Sequence, residues 1–173
     1  MRRFILILAA LAAAPAITIA APFEPGVYLA LDTGGASTSS KYAADGDDLS
    51  FGGKVGYQYT RNFGFDVYAR SLSFISNSGV FSERGLYPDQ TVGIAAQGTM
   101  PLNESFSLFG RAGIGRTSLK GNRSGMKDKE ETDGLVGVGI SYHFNRQWSI
   151  NLEGSYLTKT EIKMYSFGGR FQF

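Results

Sequence analysis

Few residues in this 173-residue chain are able to carry chemistry. Its one histidine, His143, has Ser141 two positions before it, and Glu153 follows on the next predicted strand, so the three residue types of a hydrolytic triad are present. Cysteine is absent, which removes disulfides, thiolate metal sites and a thiol nucleophile. The sequence has no cluster of histidines and carboxylates at metal-ligand spacing. Gly110, Gly113 and Gly115 lie inside an alternating segment, where close packing favours glycine, and do not form a phosphate loop. Seven charged residues remain: Asp32, Lys54, Asp66, Arg70, Arg111, Glu153 and Arg170. Each sits on the polar side of an alternating run, so their meaning depends on what the runs build.

The clearest run is 163–173, K-M-Y-S-F-G-G-R-F-Q-F. Tyr165, Phe167, Gly169, Phe171 and Phe173 share one parity, and Ser166, Gly168, Arg170 and Gln172 share the other. A strand of period two therefore has one apolar face and one small or polar face. The same alternation predicts strands over 27–33, 49–59, from 63, over 90–100 and 105–117, over 134–144 and from 148. In the third strand the pattern slips at Ser71, because Leu72 and Phe74 are apolar in the opposite parity; a bulge or departure from an apolar environment accounts equally for that. Phe109 is apolar on the polar parity of the fifth strand, as expected of an aromatic ring stacked over glycines in a narrow interior.

Between the strands, connections alternate strictly in length. Segments 60–62, 101–104 and 145–147 are tight turns, whereas 34–48, 76–89 and 119–133 are long and 158–162 is a shorter loop. The segment 119–133 mixes Lys120, Arg123, Lys127, Asp128, Lys129, Glu130, Glu131 and Asp133, which reads as a solvated loop and not as a phosphate-binding patch.

The N-terminus reads as a secretory leader: Arg2 and Arg3, an apolar stretch interrupted by Pro15, then small residues at Thr18 and Ala20. Cleavage is expected after Ala20, leaving residues 21–173 as one domain exported by the Sec route. Of 17 Lys and Arg, the leader holds two, so the exported chain balances its 15 Asp and Glu and has no electrostatic case for nucleic acid. After the leader no apolar stretch is long enough for a transmembrane helix.

Eight strands, short turns at one end and long loops at the other point to an all-β fold, an eight-stranded antiparallel up-and-down transmembrane β-barrel. A sandwich has no reason to segregate its loops, and its two inner faces need apolar residues. The seven charged residues then face inward, three acids against four bases, and are tolerable only if paired, which predicts a filled, salt-bridged interior in preference to a gated pore. Tyr59, Phe63, Tyr142, Phe144 and Trp148 form an aromatic girdle near the short turns. The turn at Arg146 sets His143 opposite Ser149 and Ser141 opposite Asn151, leaving Glu153 opposite Gly139, so the triad does not assemble.

The leader, the strand count, the run V-G-V-G-I-S-Y-H-F-N-R-Q-W-S-I-N-L-E-G-S-Y over 136–156 and the terminal F-G-G-R-F-Q-F resemble the small outer-membrane barrels of the OmpA/OmpX type. The resemblance implies residence in the bacterial outer membrane as a non-catalytic monomer without a cofactor, contributing to envelope integrity and adhesion. It also implies that Tyr165, Phe167, Phe171 and Phe173 are the C-terminal signal read by the barrel-assembly machinery. Implied partners are outer-membrane lipid and lipopolysaccharide, the assembly machinery, periplasmic chaperones and host surface molecules. The PagL-type lipid A deacylases of similar fold carry histidine before serine, facing lipid at the outer leaflet; here the order is reversed and the side chains point inward.

Overall fold

The computed structural model describes residues 24–38, 47–72, 86–121 and 128–173. The expected leader and Phe74 lie outside the described residues. Eight strands run in sequence: β1 (Gly26–Thr38), β2 (Asp47–Thr60), β3 (Phe63–Ser71), β4 (Leu86–Pro101), β5 (Phe106–Gly121), β6 (Lys129–His143), β7 (Trp148–Leu157) and β8 (Ile162–Gln172). Each pairs antiparallel with the next, and β8 pairs with β1, so the sheet is a closed barrel. Following partners once round leads from Val27 through Tyr57, Phe65, Ala96, Ala112, Val136, Tyr156 and Lys163 to Ser37, ten residues further along β1. That stagger requires tilted strands, and with only eight of them the cylinder is just wide enough for side chains to fill.

The apolar parity of every strand faces outward. Val138 is 71% exposed, and Val67, Ile94, Ile114, Leu152 and Phe167 are likewise uncovered by protein. A contiguous apolar surface of this kind needs an apolar solvent. Two of the three short turns are fixed by asparagine. Asn103 Oδ1 accepts hydrogen bonds from the backbone of Ser105 and Phe106, and Asn145 Oδ1 does the same for Gln147 and Trp148. The side chain thus supplies the acceptor that an antiparallel reversal otherwise lacks.

Five strands reach further at the long-loop end than the alternation of their apolar residues indicates. Pairing continues to Ser37↔Asp47 between β1 and β2, to Leu86↔Gly121 between β4 and β5, and to Leu119↔Lys129 between β5 and β6. Parts of 34–48, 76–89 and 119–133 are therefore strand and not loop. Beyond the apolar solvent the outward positions have no reason to be greasy, so the pattern fades while the backbone ladder persists. The slip at Ser71 has a different origin. β3 keeps its register to Ser71↔Gln90, the irregularity lies across from it between Pro88 and Gln90 of β4, and Leu72 turns inward with 1% exposure. There it joins Ala36, Tyr68, Ala95, Leu135, Leu157, Ile162 and Met164 in an apolar cluster inside the barrel.

Aromatic rings fit the interior by lying over glycines of the next strand or the next but one. A Cβ at Gly56 would meet Tyr28 Cζ at 2.4 Å, one at Gly139 would meet Phe109 Cζ at 2.3 Å, and those at Gly93 and Gly115 would meet Tyr68 Oη at 2.6 and 2.5 Å. The same Cβ at Gly139 would run into the backbone carbonyl oxygen of Leu152, so neither neighbour yields cheaply. We expect Gly139→Val to lower the unfolding free energy of the refolded barrel, read from urea titration, by about 3 kcal/mol, as for overpacked cores. Gly110→Ala, whose Cβ meets nothing closer than Gly137 O at 3.9 Å, should leave it unchanged. Gel mobility of unheated samples measures both.

Candidate functional site

The inward parity of five strands, β1, β2, β3, β5 and β7, delivers charge to the middle of the cylinder. Arg111 on β5 reaches across to two carboxylates: Nη2 lies 2.5 Å from Asp66 Oδ1 on β3, and Nη1 lies 2.8 Å from Glu153 Oε1 on β7. Lys54 on β2 binds the other oxygen of Glu153 at 2.6 Å and approaches Asp32 on β1 at 3.6 Å. Arg70 on β3 pairs with Asp32 and donates to Ser50 Oγ at 2.9 Å. Tyr28 Oη donates to the second oxygen of Asp66 at 2.9 Å. Strands that are not neighbours in the sheet are thus tied across the lumen.

Of the seven charged residues singled out from the sequence, six meet in one continuous ion-paired group. Arg170 is set apart toward the short turns. Its guanidinium stacks 3.7 Å over the Tyr28 ring and donates to Gln58 and Gln172 at 3.0 and 3.1 Å. Tyr28 therefore links Arg170 to Asp66 without a direct ion pair. Tyr28 and Gln58 carried no sequence signal of their own beyond inward parity.

The serine, histidine and acid set does not form. His143 stands opposite Ser149, Ser141 opposite Asn151 and Glu153 opposite Gly139. His143 Nε2 lies 3.2 Å from Ser107 Oγ on β5, a partner the sequence does not indicate, because it comes from the other neighbouring strand. Both oxygens of Glu153 are committed to Lys54 and Arg111. A serine–histidine pair without a carboxylate to orient the imidazole lacks the third element of that chemistry. Among the described residues no group of three histidine, aspartate or glutamate side chains could hold a metal ion.

At the short-turn end, Tyr59, Phe63, Phe144 and Trp148 project outward and exposed, with Tyr142 half-buried between Phe106 and Phe144 at ring separations of 4.9 and 5.0 Å. Trp148, Phe171 and Phe173 form a second cluster, with separations of 4.8 and 4.9 Å. Tyr165 and Phe167 lie on the same outward face of β8, higher up the wall.

The opposite rim holds two devices that charge patterning alone did not reveal. Asp133, 0% exposed and not in a solvated loop, accepts from the backbone of Lys159 and Thr160 and from Thr160 Oγ1, so it pins the β7–β8 turn to β6. Beside it Glu131 is clasped by Lys129, 2.6 Å away, and by Lys159. Hydrogen bonds from these two ammonium groups lower the Glu131 carboxyl from an ordinary 4.5 to about 2.

A family model described as outer membrane protein beta-barrel domain matches residues 4–172. No curated protein matches the chain. Among solved structures the chain is similar to Ail, the attachment invasion locus protein of Yersinia pestis, at 16% identity and TM-score 0.64, covering 87% of this chain and all of that one. Neisserial surface protein A is similar at 20% identity and TM-score 0.60, again over 87% of this chain and all of that one. The N-terminal barrel domain of Pseudomonas aeruginosa OprF is similar at 16% identity and TM-score 0.57, with the same coverage.

Two outcomes follow from this geometry. Glu153→Gln leaves Lys54 and Arg111 short of a buried partner charge and should cost roughly 3–5 kcal/mol in equilibrium unfolding, more than Arg170→Met, whose partners are neutral. Because the Glu131 pKa is depressed on folding, its clasp stabilises the rim above pH 4.5 and is lost as pH falls toward 2. An NMR titration of the Glu131 carboxyl should therefore give a midpoint near 2 and not near 4.5.

Proposed function

Because the chain belongs to the outer membrane protein beta-barrel domain family and is an integral protein of the bacterial outer membrane, we propose that it is a filled, non-catalytic barrel. Its duties are mechanical and superficial: it contributes to envelope integrity, and its external loops make surface contacts. The observation that carries this reading is the cross-lumen group of Arg111, Lys54, Asp66 and Glu153, roofed by the apolar cluster around Leu72, Leu135 and Ile162. Ions crossing the barrel would have to part paired charges and then give up their hydration in a dry apolar layer, and each step opposes conduction.

The non-catalytic part of the proposal is supported by His143, which among the described residues has a serine but no carboxylate beside it. The exposed apolar wall and its aromatic band fit outer-membrane lipid and lipopolysaccharide as surroundings. Residues 1–20 act as the Sec leader, and the Tyr165, Phe167, Phe171 and Phe173 face of β8 serves as the signal for periplasmic chaperones and the barrel-assembly machinery. One similar protein is named for attachment and invasion; by extension the external loops of this monomer are the part that meets host surface molecules.

Purified protein reconstituted in planar bilayers should give no sustained unitary conductance in molar salt. Regular open-channel steps in the wild-type protein would overturn the filled-barrel reading in favour of a small-solute pore.

A further inference from the structure

The inward charges do not balance evenly along the axis. Asp32, Asp66 and Glu153 are matched by Lys54, Arg70 and Arg111, so the middle of the barrel has no charge to spare. Arg170 is the surplus cation. Among the described residues no carboxylate is ion-paired with it, and its neighbours on the inward face near the short turns, Gln58, Ser107, His143, Ser149 and Gln172, carry no negative charge. A charge withdrawn from bulk water is normally paired, and Arg170 is half-buried.

The guanidinium is also held ready. Its Nη2 donates to Oε1 of both Gln58 and Gln172, and each of those amides is fixed in turn, because its Nε2 donates to a backbone carbonyl, that of Thr60 at 2.9 Å and that of Glu24 at 3.2 Å. Tyr28 covers one face at 3.7 Å. Nε and Nη1 are left without a protein acceptor among the described residues. Ser149 on β7 stands directly opposite Arg170 on one side and His143 on the other, and its hydroxyl has no hydrogen-bond partner among the described residues. His143 uses Nε2 on Ser107, which leaves Nδ1.

We propose that this mouth, at the short-turn and therefore periplasmic end of the barrel, is a binding site for a small soluble oxyanion of the phosphate class. Arg170 supplies the charge and donates from Nη1 and Nε. Ser149 Oγ is a further donor, and so is His143 Nδ1 in the tautomer whose Nε2 accepts from Ser107. Neighbouring strands stand about 4.8 Å apart, so donors on β6, β7 and β8 are spread too widely for one spherical halide and suit the separate oxygens of one anion. Lipid headgroups meet the outer wall, beside Trp148 and Phe171, whereas these donors face the lumen. Occupation neutralises the surplus charge and leaves the ion-paired middle untouched.

The test titrates the wild-type barrel, refolded in a non-ionic maltoside, with sodium phosphate and, at matched ionic strength and pH, with sodium chloride, read by heteronuclear NMR. Phosphate should give a saturable shift of the Arg170 Nε–H and of the Ser149 and His143 amides, and chloride should give none. Arg170→Gln should weaken binding about tenfold or more, the scale of one hydrogen bond to a charged group. Ser149→Ala should weaken it less, with the gel mobility of unheated protein unchanged. The absence of a saturable shift, an equal response to chloride, undiminished affinity in Arg170→Gln, or equal shifts at the exposed Arg61 and Arg146 overturns the proposal. In phosphatidylglycerol nanodiscs the phosphate response should persist; resonances already shifted there and no longer responsive would identify a lipid headgroup as the occupant and overturn it too.

Discussion

Every other feature of this molecule depends on the seam between β1 and β8. In hydrocarbon an unpaired backbone N–H or C=O has no water to bond, so an open sheet edge is not tolerated there. The seam runs from Tyr28↔Gln172 to Thr38↔Ile162 and leaves no edge within the apolar band. Closure with eight strands and a stagger of ten residues sets the width of the cylinder. The width in turn decides what the inward residues are: rings that lie on glycines, and charged side chains long enough to meet partners across the lumen.

The interior is layered along the axis. Toward the short turns it is made of amides, hydroxyls and the Arg170–Tyr28 stack; in the middle it is ion pairs; toward the long loops it becomes apolar before the rim turns polar again at Asp133 and Glu131. Arg111 joins the layers, since it bonds Asp66 and Glu153 and lies 5.6 Å from the centre of the Tyr68 ring. No single strand supplies the group. Its members come from β1, β2, β3, β5 and β7, so it forms only when the barrel has closed.

The fold was legible in the sequence because lipid imposes its own periodicity. Val27, Leu29 and Leu31, or Val136, Val138 and Ile140, alternate because each second residue must be greasy. Where lipid ends the imposition ends, which is why Gly34 to Thr38, Leu86 to Asp89 and Lys129 to Asp133 read as loop although they are paired strand. Inward parity was equally legible for the charged residues, but their partners were not. Parity fixes the face and approximate height of a side chain; it does not say which of seven other strands it will reach across the lumen. Arg111 bonding Asp66 and Glu153 is a consequence of closure and stagger, whereas His143 meets Ser107 because β5 is the other neighbour of β6. Leu72 was misleading for a further reason: an apolar residue inside the roof looks like an error of alternation when the interior is assumed polar throughout.

Buried ion pairs are seldom the most stable filling for a core, since well-packed apolar residues of similar volume often do as well or better. In a membrane that substitution carries a different penalty. An apolar interior would make both parities of each strand apolar, and a slip of one residue exchanges the two faces. Such a slip would then present one greasy face in place of another. With Lys54, Asp66, Arg111 and Glu153 on one parity, the same slip would drive unpaired charges into lipid, which costs about 2–4 kcal/mol for each Lys or Arg near the midplane. The apolar roof of Leu72, Leu135, Leu157, Ile162 and Met164 is consistent with this logic. It lies toward the end where outward positions become polar, so a slipped strand would expose its misplaced residues to water or headgroups and would gain nothing from the exchange. Charge in the middle and oil near the rim thus both act to keep each strand facing one way.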